Sequence, residues 1–487
     1  MFRTEQDNNN APFTHFGAFE MLLTDETMLA WCRRLTGVSD DAPRLPLEDY
    51  LKAIPRFDAL RDIPSGTPVL VRGDLDAKPG PNIGDGDIRL RSMVDTLNEG
   101  RERGWVQIIF GHIGRKPEGT LVNVAARLGE LLDTEIELLS DWFDETSLIV
   151  PAAISEKIRT SAPGTVLMLE NTRRYDIERS LWKAGAEQLP SLSQPLAKFA
   201  QELADNIAKV YVHEALSAGS FDASSTIVPA AMQRVAMGRY LASEMDGPML
   251  RCRRSQLVIF SGLKIDKMDD LEAIVGRGLV RMVIAAGSLA MSLKKASAQL
   301  DGGDFCLGVA ENPEHSEKPY YIGPDRIKQA RDMVKRGRAH SVEFVLPVDF
   351  ILADGSTSQA LAANDQQFDV GPKSSALFEQ KVGQFIDSAG NRDDPLVAFH
   401  NGVFGMFEDP RFESGTKRFI AQLKRMTDAN VEVYVGGGEG GKALERYGKP
   451  DWITHCFTAG GTVLNALGNE PIPYLQALYL AVQHSDR

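Results

Sequence analysis

Ten short apolar runs, separated by stretches of helical periodicity, constrain the fold of this chain more than any other feature. The first five are VLVR (69–72), VQIIF (106–110), EIELL (135–139), VLMLE (166–170) and KVYVHEAL (209–216). The second five are QLVIFSG (256–262), RMVIAAG (281–287), VEFVLPVDFILAD (342–354), PLVAFHNG (395–402) and VEVYVGGG (431–438). Runs this short and this continuously apolar suit strands buried on both faces. The helical stretches between them, such as 89–103 and 121–133, are the crossovers that parallel strands require. The expected fold class is therefore α/β, with two doubly wound parallel-sheet domains. A chain of 487 residues is long enough to bury two such cores. The stretch 229–245 reads as helix and, with the break at Gly247-Pro248, separates the two series.

In the first series, three strand ends deliver cations. VLVRGDLDAKPG (69–80) is followed by Arg89, IIFGHIGRKP (108–117) presents His112 and Arg115 around Gly114, and VLMLENTRRY (166–175) carries Arg173. Open α/β sheets bind ligands at the carboxyl edge of their strands, so cations gathered there point to a phosphorylated or carboxylate ligand. The formal net charge of -13 makes these cations local features and argues against nucleic-acid or membrane-surface binding. No run approaches transmembrane length, the N-terminus lacks an apolar signal region, and Cys32, Cys252, Cys306 and Cys456 show no CxxC spacing. A cytoplasmic protein without a disulfide or zinc framework is expected.

Residues 1–12 are polar, with an Asn run, and are expected to be disordered. Asp25 is expected to cap a helix whose apolar positions Met28, Trp31, Cys32 and Leu35 dock on their own domain, with Gly37 as the stop.

The second series is rich in glycine turns at strand ends. VEVYVGGGEGGKALERYG (431–448) comes within one residue of a P-loop, but Ala443 stands where the hydroxyl should be. A turn that aims backbone N–H groups and a helix N-terminus at a phosphate needs no hydroxyl. NGVFGMFEDPRFESGT (401–416) and THCFTAGGTVLNAL (454–467) repeat the pattern, and together the three turns signal a nucleotide. Gly436, Gly438 and Gly441 also fit G-x-G-x-x-G, but the next strand ends in Thr458 and Ala459, without the acidic residue a dinucleotide needs.

The order VLVRGDLDAKPG, Arg89, GHIGRKP, LENTRR, SGLKID, LPVDFILAD, DVGPKS, NGVFGMFE, GGGEGG, TAGG resembles the phosphoglycerate kinase family from about Leu47 to Tyr474. The resemblance implies two domains joined by a hinge, an ATP-dependent carboxylate kinase, Mg²⁺, ATP or ADP, and 3-phosphoglycerate or a related carboxylate. The expected division is a partly disordered extension (1–55), a domain at 56–228, an inter-domain helix and linker (229–254), a domain at 255–470 and a terminal segment (471–487); the resemblance gives the first domain the substrate, the second the nucleotide, and returns the terminal segment to the first. Carried over by position, Asp74, Asp76, Arg89, His112, Arg115 and Arg173 would bind substrate, with Arg89 and Lys264 catalytic. Gly262, Lys264, Gly287, Gly371, Pro372, Asn401, Gly402, Glu408, Gly436, Gly437, Gly438 and Gly440 would bind nucleotide, and Glu439 the metal. Asp349 and Asp354 sit in the matching LPVDFILAD loop, and Lys373 follows the glycine-proline turn. A monomer is expected, with the N-terminal extension as a contact surface.

The chain also departs from the family pattern. Asp76 replaces an asparagine, and the stretch SAGSFDASS (217–225) is rewritten so that Phe221 stands where a phosphate-binding arginine belongs. Lys267 comes one residue early, with Met268 in the register of the second catalytic-loop lysine. Glu439 and Gly440 replace an aspartate and a hydroxyl residue. The substrate is expected to be 3-phosphoglycerate bound more weakly or a less anionic carboxylate. The alternative is a catalytically impaired relative acting as a sensor or scaffold.

Overall fold

Each of the ten apolar runs contains a strand in the computed structural model, which describes residues 23–38, 45–262, 267–388 and 394–485. In chain order the strands are β1 (Pro68–Arg72), β2 (Val106–Phe110), β3 (Glu137–Leu139), β4 (Val166–Leu169), β5 (Val210–His213), β6 (Arg234–Met237), β7 (Leu257–Gly262), β8 (Met282–Ala286) and β9 (Glu343–Val345). They continue with β10 (Phe350–Leu352), β11 (Thr357–Ser358), β12 (Gln367–Val370), β13 (Val397–Asn401), β14 (Glu432–Gly436) and β15 (His455–Cys456). Among the described residues they form two six-stranded parallel sheets, ordered β3-β4-β2-β1-β5-β6 and β15-β14-β13-β7-β8-β9. β10, β11 and β12 make a small antiparallel sheet. The fold is thus α/β with two parallel-sheet domains.

β1, β2, β7 and β8 are buried almost without interruption, because helices cover both faces of each sheet. In the first sheet β1 lies between β2 and β5, and in the second β7 lies between β8 and β13. Chain connections run in opposite directions from these two strands, which opens a crevice at their carboxyl ends.

Three readings of the sequence need correction. The stretch 229–245 is not one helix: it holds β6, which pairs with β5, before the helix Arg239–Glu244 begins. Its Ala, Met, Leu and Arg residues favour helix, and pairing beside β5 overrides that preference. The run 342–354 is split between β9 of the large sheet and β10 of the small one. The helix Asp25–Thr36 is capped by Thr24, which exchanges hydrogen bonds with Thr27, rather than by Asp25.

That helix buries Met28, Trp31, Cys32 and Leu35 and ends at Gly37 in the left-handed conformation. The indole Nε1 of Trp31 donates to Thr226 O at 2.8 Å. Leu47–Ala53 forms a second helix, and Tyr50 meets Tyr479 edge-on at 5.4 Å. The C-terminal helix Pro473–Ser485 packs beside both of these helices and β6. The expectation of disorder for residues 1–12 lies outside the described residues. One apolar cluster runs from Leu70 and Tyr211 through Met237, Met245 and Met249 to Val258 and Phe260, so the core is continuous between the sheets. Among the described residues no helix is long and apolar enough to cross a membrane.

Candidate active site

At the tip of β1 the strand delivers a buried cation that the sequence reading did not single out. Arg72 is 1 % exposed; its Nε donates to Ser224 Oγ at 3.0 Å and Ser225 Oγ at 3.1 Å, and Nη1 donates to Gly73 O. Its Nη2 lies 2.8 Å from His112 Nδ1, at the tip of β2. The hub of this cluster is Asp222, also missed. Arg173 Nη2 donates to both Asp222 oxygens at 3.2 and 3.0 Å, and Trp182 Nε1 donates to Oδ1 at 2.8 Å. His112 Nδ1 lies 3.2 Å and Arg72 Nη2 3.7 Å from Oδ2. The Arg173 guanidinium also lies over the Trp182 ring, 4.6 Å from its centre.

Burial works against the Asp222 charge, but His112, Arg173 and Arg72 hold the carboxyl well below its ordinary range. Burial lowers the His112 pKa, while its bond to Asp222 works in the opposite direction. Behind the hub, the buried Glu178 accepts from Ser224 N, Ser224 Oγ and Thr172 Oγ1. Phe221 is half-buried and packs on the main core.

The remaining substrate-edge residues form a more open group. Asp74 is 2 % exposed and accepts from Ser217 Oγ at 2.7 Å. Arg89, on the helix Ile88–Ser92, lies 3.7 Å from Asp74 and 3.3 Å from Asp76. Burial opposes ionisation of Asp76, yet the Gly114 N–H and the cations around it keep its pKa below the usual value. The other arm of Arg89, Nη2, donates to Thr458 O at 3.4 Å, on the turn after β15 in the second sheet. Arg115 is exposed and has no ion-pair partner among the described residues. Arg91 and Arg174, the obvious substitutes for a lost arginine, pair with Asp87 and Glu170.

The second edge lies at the tips of β7 and β13. Gly402 has φ +103, and a Cβ there would meet Ser261 O at 2.0 Å, so only glycine closes this turn. Lys267 Nζ donates to Ser261 O and Asn401 Oδ1, both at 2.9 Å, placing a cation in the crevice beside Gly262. Asn401 Nδ2 in turn donates to Gly436 O at 3.0 Å. Gly437 has φ +87 and turns the chain from β14 into the helix Gly438–Tyr447, which has no side-chain cap. The helices Gly287–Leu300 and Gly461–Gly468 likewise begin at strand tips without side-chain caps. Uncapped first-turn N–H groups are ready donors to an anion, so this edge fits a nucleotide's phosphates. The turn at Gly371-Pro372 differs: Asp349 accepts from Lys373 N at 3.0 Å and Ser374 N at 2.7 Å, so those donors are already satisfied.

Gly440 is buried against Val435 and the Gly402 backbone, whereas Glu408 and Glu439 are exposed. Magnesium commonly takes one or two protein carboxylates plus phosphate oxygens and water, and Glu439 in the first turn of its helix suits that arrangement. Among the described residues no group of three or more His, Cys, Asp or Glu side chains converges as a metal cage. Lys264 lies outside the described residues.

The sequence held a signal for Arg72, an arginine at the inner end of an apolar strand, which is buried only when paired. It held none for Asp222, whose partners lie 40 or more residues away in the chain.

His400, next to Asn401 on β13, is fully buried beside Phe404 and Phe419, and its Nδ1 has no hydrogen-bond partner among the described residues. Burial pushes its pKa down to about 4, with Lys267 adding to the effect. The folded state keeps the ring neutral while the unfolded state protonates near pH 6.5, so stability falls as pH drops through the window between the two. The expected loss is up to about 1.4 kcal/mol per pH unit in that window. Urea midpoints of His400→Phe should show a shallower acid slope than wild type; parallel slopes would refute this.

A family model described as "Phosphoglycerate kinase" matches residues 60–470. The phosphoglycerate kinase of Bifidobacterium longum subsp. infantis is 28% identical over 434 residues, covering 85% of this chain and 97% of that protein. The phosphoglycerate kinase of Candida glabrata is 27% identical over 386 residues, 75% of this chain and 84% of that protein. The crystal structure of phosphoglycerate kinase from Pyrococcus horikoshii superimposes with a TM-score of 0.66 at 22% identity, covering 88% of this chain and 100% of that one, a likeness of fold.

Proposed function

The chain belongs to the phosphoglycerate kinase family, and from that premise we propose that it moves the γ-phosphoryl group of Mg-ATP reversibly to a small carboxylate. That carboxylate is 3-phosphoglycerate or a less anionic relative. The observation that carries the reading is the reach of Arg89, which lies beside Asp74 and Asp76 of the first sheet and donates to Thr458 O of the second. A carboxylate held at one edge and a phosphate held at the other would meet at this side chain.

A carboxylate oxygen attacks the γ-phosphorus, the bond from phosphorus to the ADP oxygen breaks, and ADP keeps the electron pair. No proton changes hands. Such transfers depend on positioning and charge neutralisation, with little covalent work for the protein. Arg89 and Lys267 supply positive charge at the crevice, and Lys264 is the further cation that the family resemblance makes catalytic. The glycine turns at 402 and 437 and the uncapped helix N-termini hold the nucleotide, and Glu439 is the carboxylate for Mg²⁺. When bound, the metal neutralises charge on the phosphate oxygens. The protein acts as a monomer in this reading, because the helix Asp25–Thr36 turns its apolar face to its own chain, and a cytoplasmic location follows the cytosolic phosphoglycerate kinase of Triticum aestivum, 27% identical to it.

The test is an assay with Mg-ATP and a panel of carboxylates, trapping any acyl phosphate with hydroxylamine. Hydroxamate formation with at least one acid is the expected result. ADP binding without hydroxamate from any acid would favour the sensor or scaffold reading instead.

A further inference from the structure

We propose that the substrate, on the kinase reading above, is a small hydroxy-carboxylate without a phosphate group, because Asp222 already occupies the cations that would receive that phosphate. Asp222 is fully buried, and its oxygens take Arg173, Trp182, His112 and, more distantly, Arg72. It is an internal anion bonded where a ligand anion would bind.

The charge balance leads to the same ligand. Arg72, Arg89, Arg115, Lys116 and Arg173 bring five positive charges to the edge, and Asp74, Asp76 and Asp222 bring three negative ones. Arg72 and Arg173 are 1 % and 6 % exposed and already bonded to the chain, so they are closed to an incoming ligand. Arg89 faces two carboxylates. Among the described residues the cations of this edge without an ion-pair partner are Arg115 and Lys116, both exposed to water on one loop, where ion pairs contribute little. They suffice for a carboxylate monoanion and not for a carboxylate plus a phosphate dianion. Asp76, whose side chain is 37% exposed, has acceptor capacity facing the same space, which suits a hydroxyl donor and repels a phosphate.

Binding can be measured without turnover, which separates this proposal from the kinase reading. Calorimetric titration of the full chain with D-glycerate and with 3-phosphoglycerate should give at least tenfold tighter binding of the unphosphorylated acid. In Asp222→Asn the side chain keeps its size but loses its charge and one of its two acceptor oxygens, which loosens its hold on Arg173, so affinity for 3-phosphoglycerate should rise at least tenfold and fall again with added salt. The wild-type comparison stands alone if the variant does not fold. Tighter wild-type binding of 3-phosphoglycerate, binding of neither acid by protein that binds Mg-ADP, or a folded Asp222→Asn with no gain for 3-phosphoglycerate would each overturn the proposal. If glycerate binds as expected and no acyl phosphate forms, the substrate-site inference stands and the kinase reading fails.

Discussion

Replacing Arg89 with methionine is expected to lower turnover by about a thousandfold, the low end of what a single arginine contributes to phosphoryl transfer. The guanidinium reaches both sheet edges, and its charge is needed most when negative charge spreads over the oxygens of the moving phosphoryl group. Methionine keeps most of the apolar stem of the side chain and removes the guanidinium with its charge and hydrogen bonds. KM for the carboxylate should change far less than kcat, because an interaction strongest in the transition state shows mainly in kcat. Stability should fall by about 1–3 kcal/mol, since Arg89 is a quarter exposed but leaves the buried Asp74 with only its Ser217 bonds. Steady-state kinetics beside a thermal melt check both parts. Turnover within a few fold of wild type would remove Arg89 from the reaction.

Trp31→Ala should cost about 3–5 kcal/mol of folding stability, among the largest effects of any single substitution in this chain. Trp31 is 3 % exposed, donates to Thr226 O and stacks on His484 with ring centres 5.7 Å apart. Alanine leaves a cavity between the helix Asp25–Thr36 and the C-terminal helix and strips a buried carbonyl of its donor. Trp31→Phe keeps most of the volume and should cost only about 1–2 kcal/mol. Urea unfolding distinguishes the two. A wild-type midpoint for Trp31→Ala would mean that the helix melts independently of the core. The expected result makes this helix, which precedes the family match at residue 60, part of the cooperative unit.

The architecture was legible because it depends on local periodicity. Runs such as VQIIF and LVIFSG are buried on both faces, and only a parallel sheet between helix layers buries strands that way. Glycine turns at 402 and 437 were legible for a related reason: a positive φ is a demand of the backbone itself, and glycine meets it at no steric cost. The strand at 234–237 was not legible. Its residues favour helix, and the gain from pairing with β5 is made by residues more than 20 positions earlier.

The candidate site divides along the same line. Sequence by itself determined that cations gather at strand tips of the first sheet and glycine turns at those of the second, because both follow from residue type and strand position. Only the tertiary structure decided which of those cations remain open to a ligand. Asp222 draws Arg72, His112 and Arg173 from three separate strand ends. Asp349 caps the helix at Pro372 from 24 residues before Lys373. Arg89 reaches Thr458 across 369 positions of chain. A charge in a sequence is only a potential partner; which opposite charge it meets depends on contacts distant in the chain, and burial then makes the choice costly to undo.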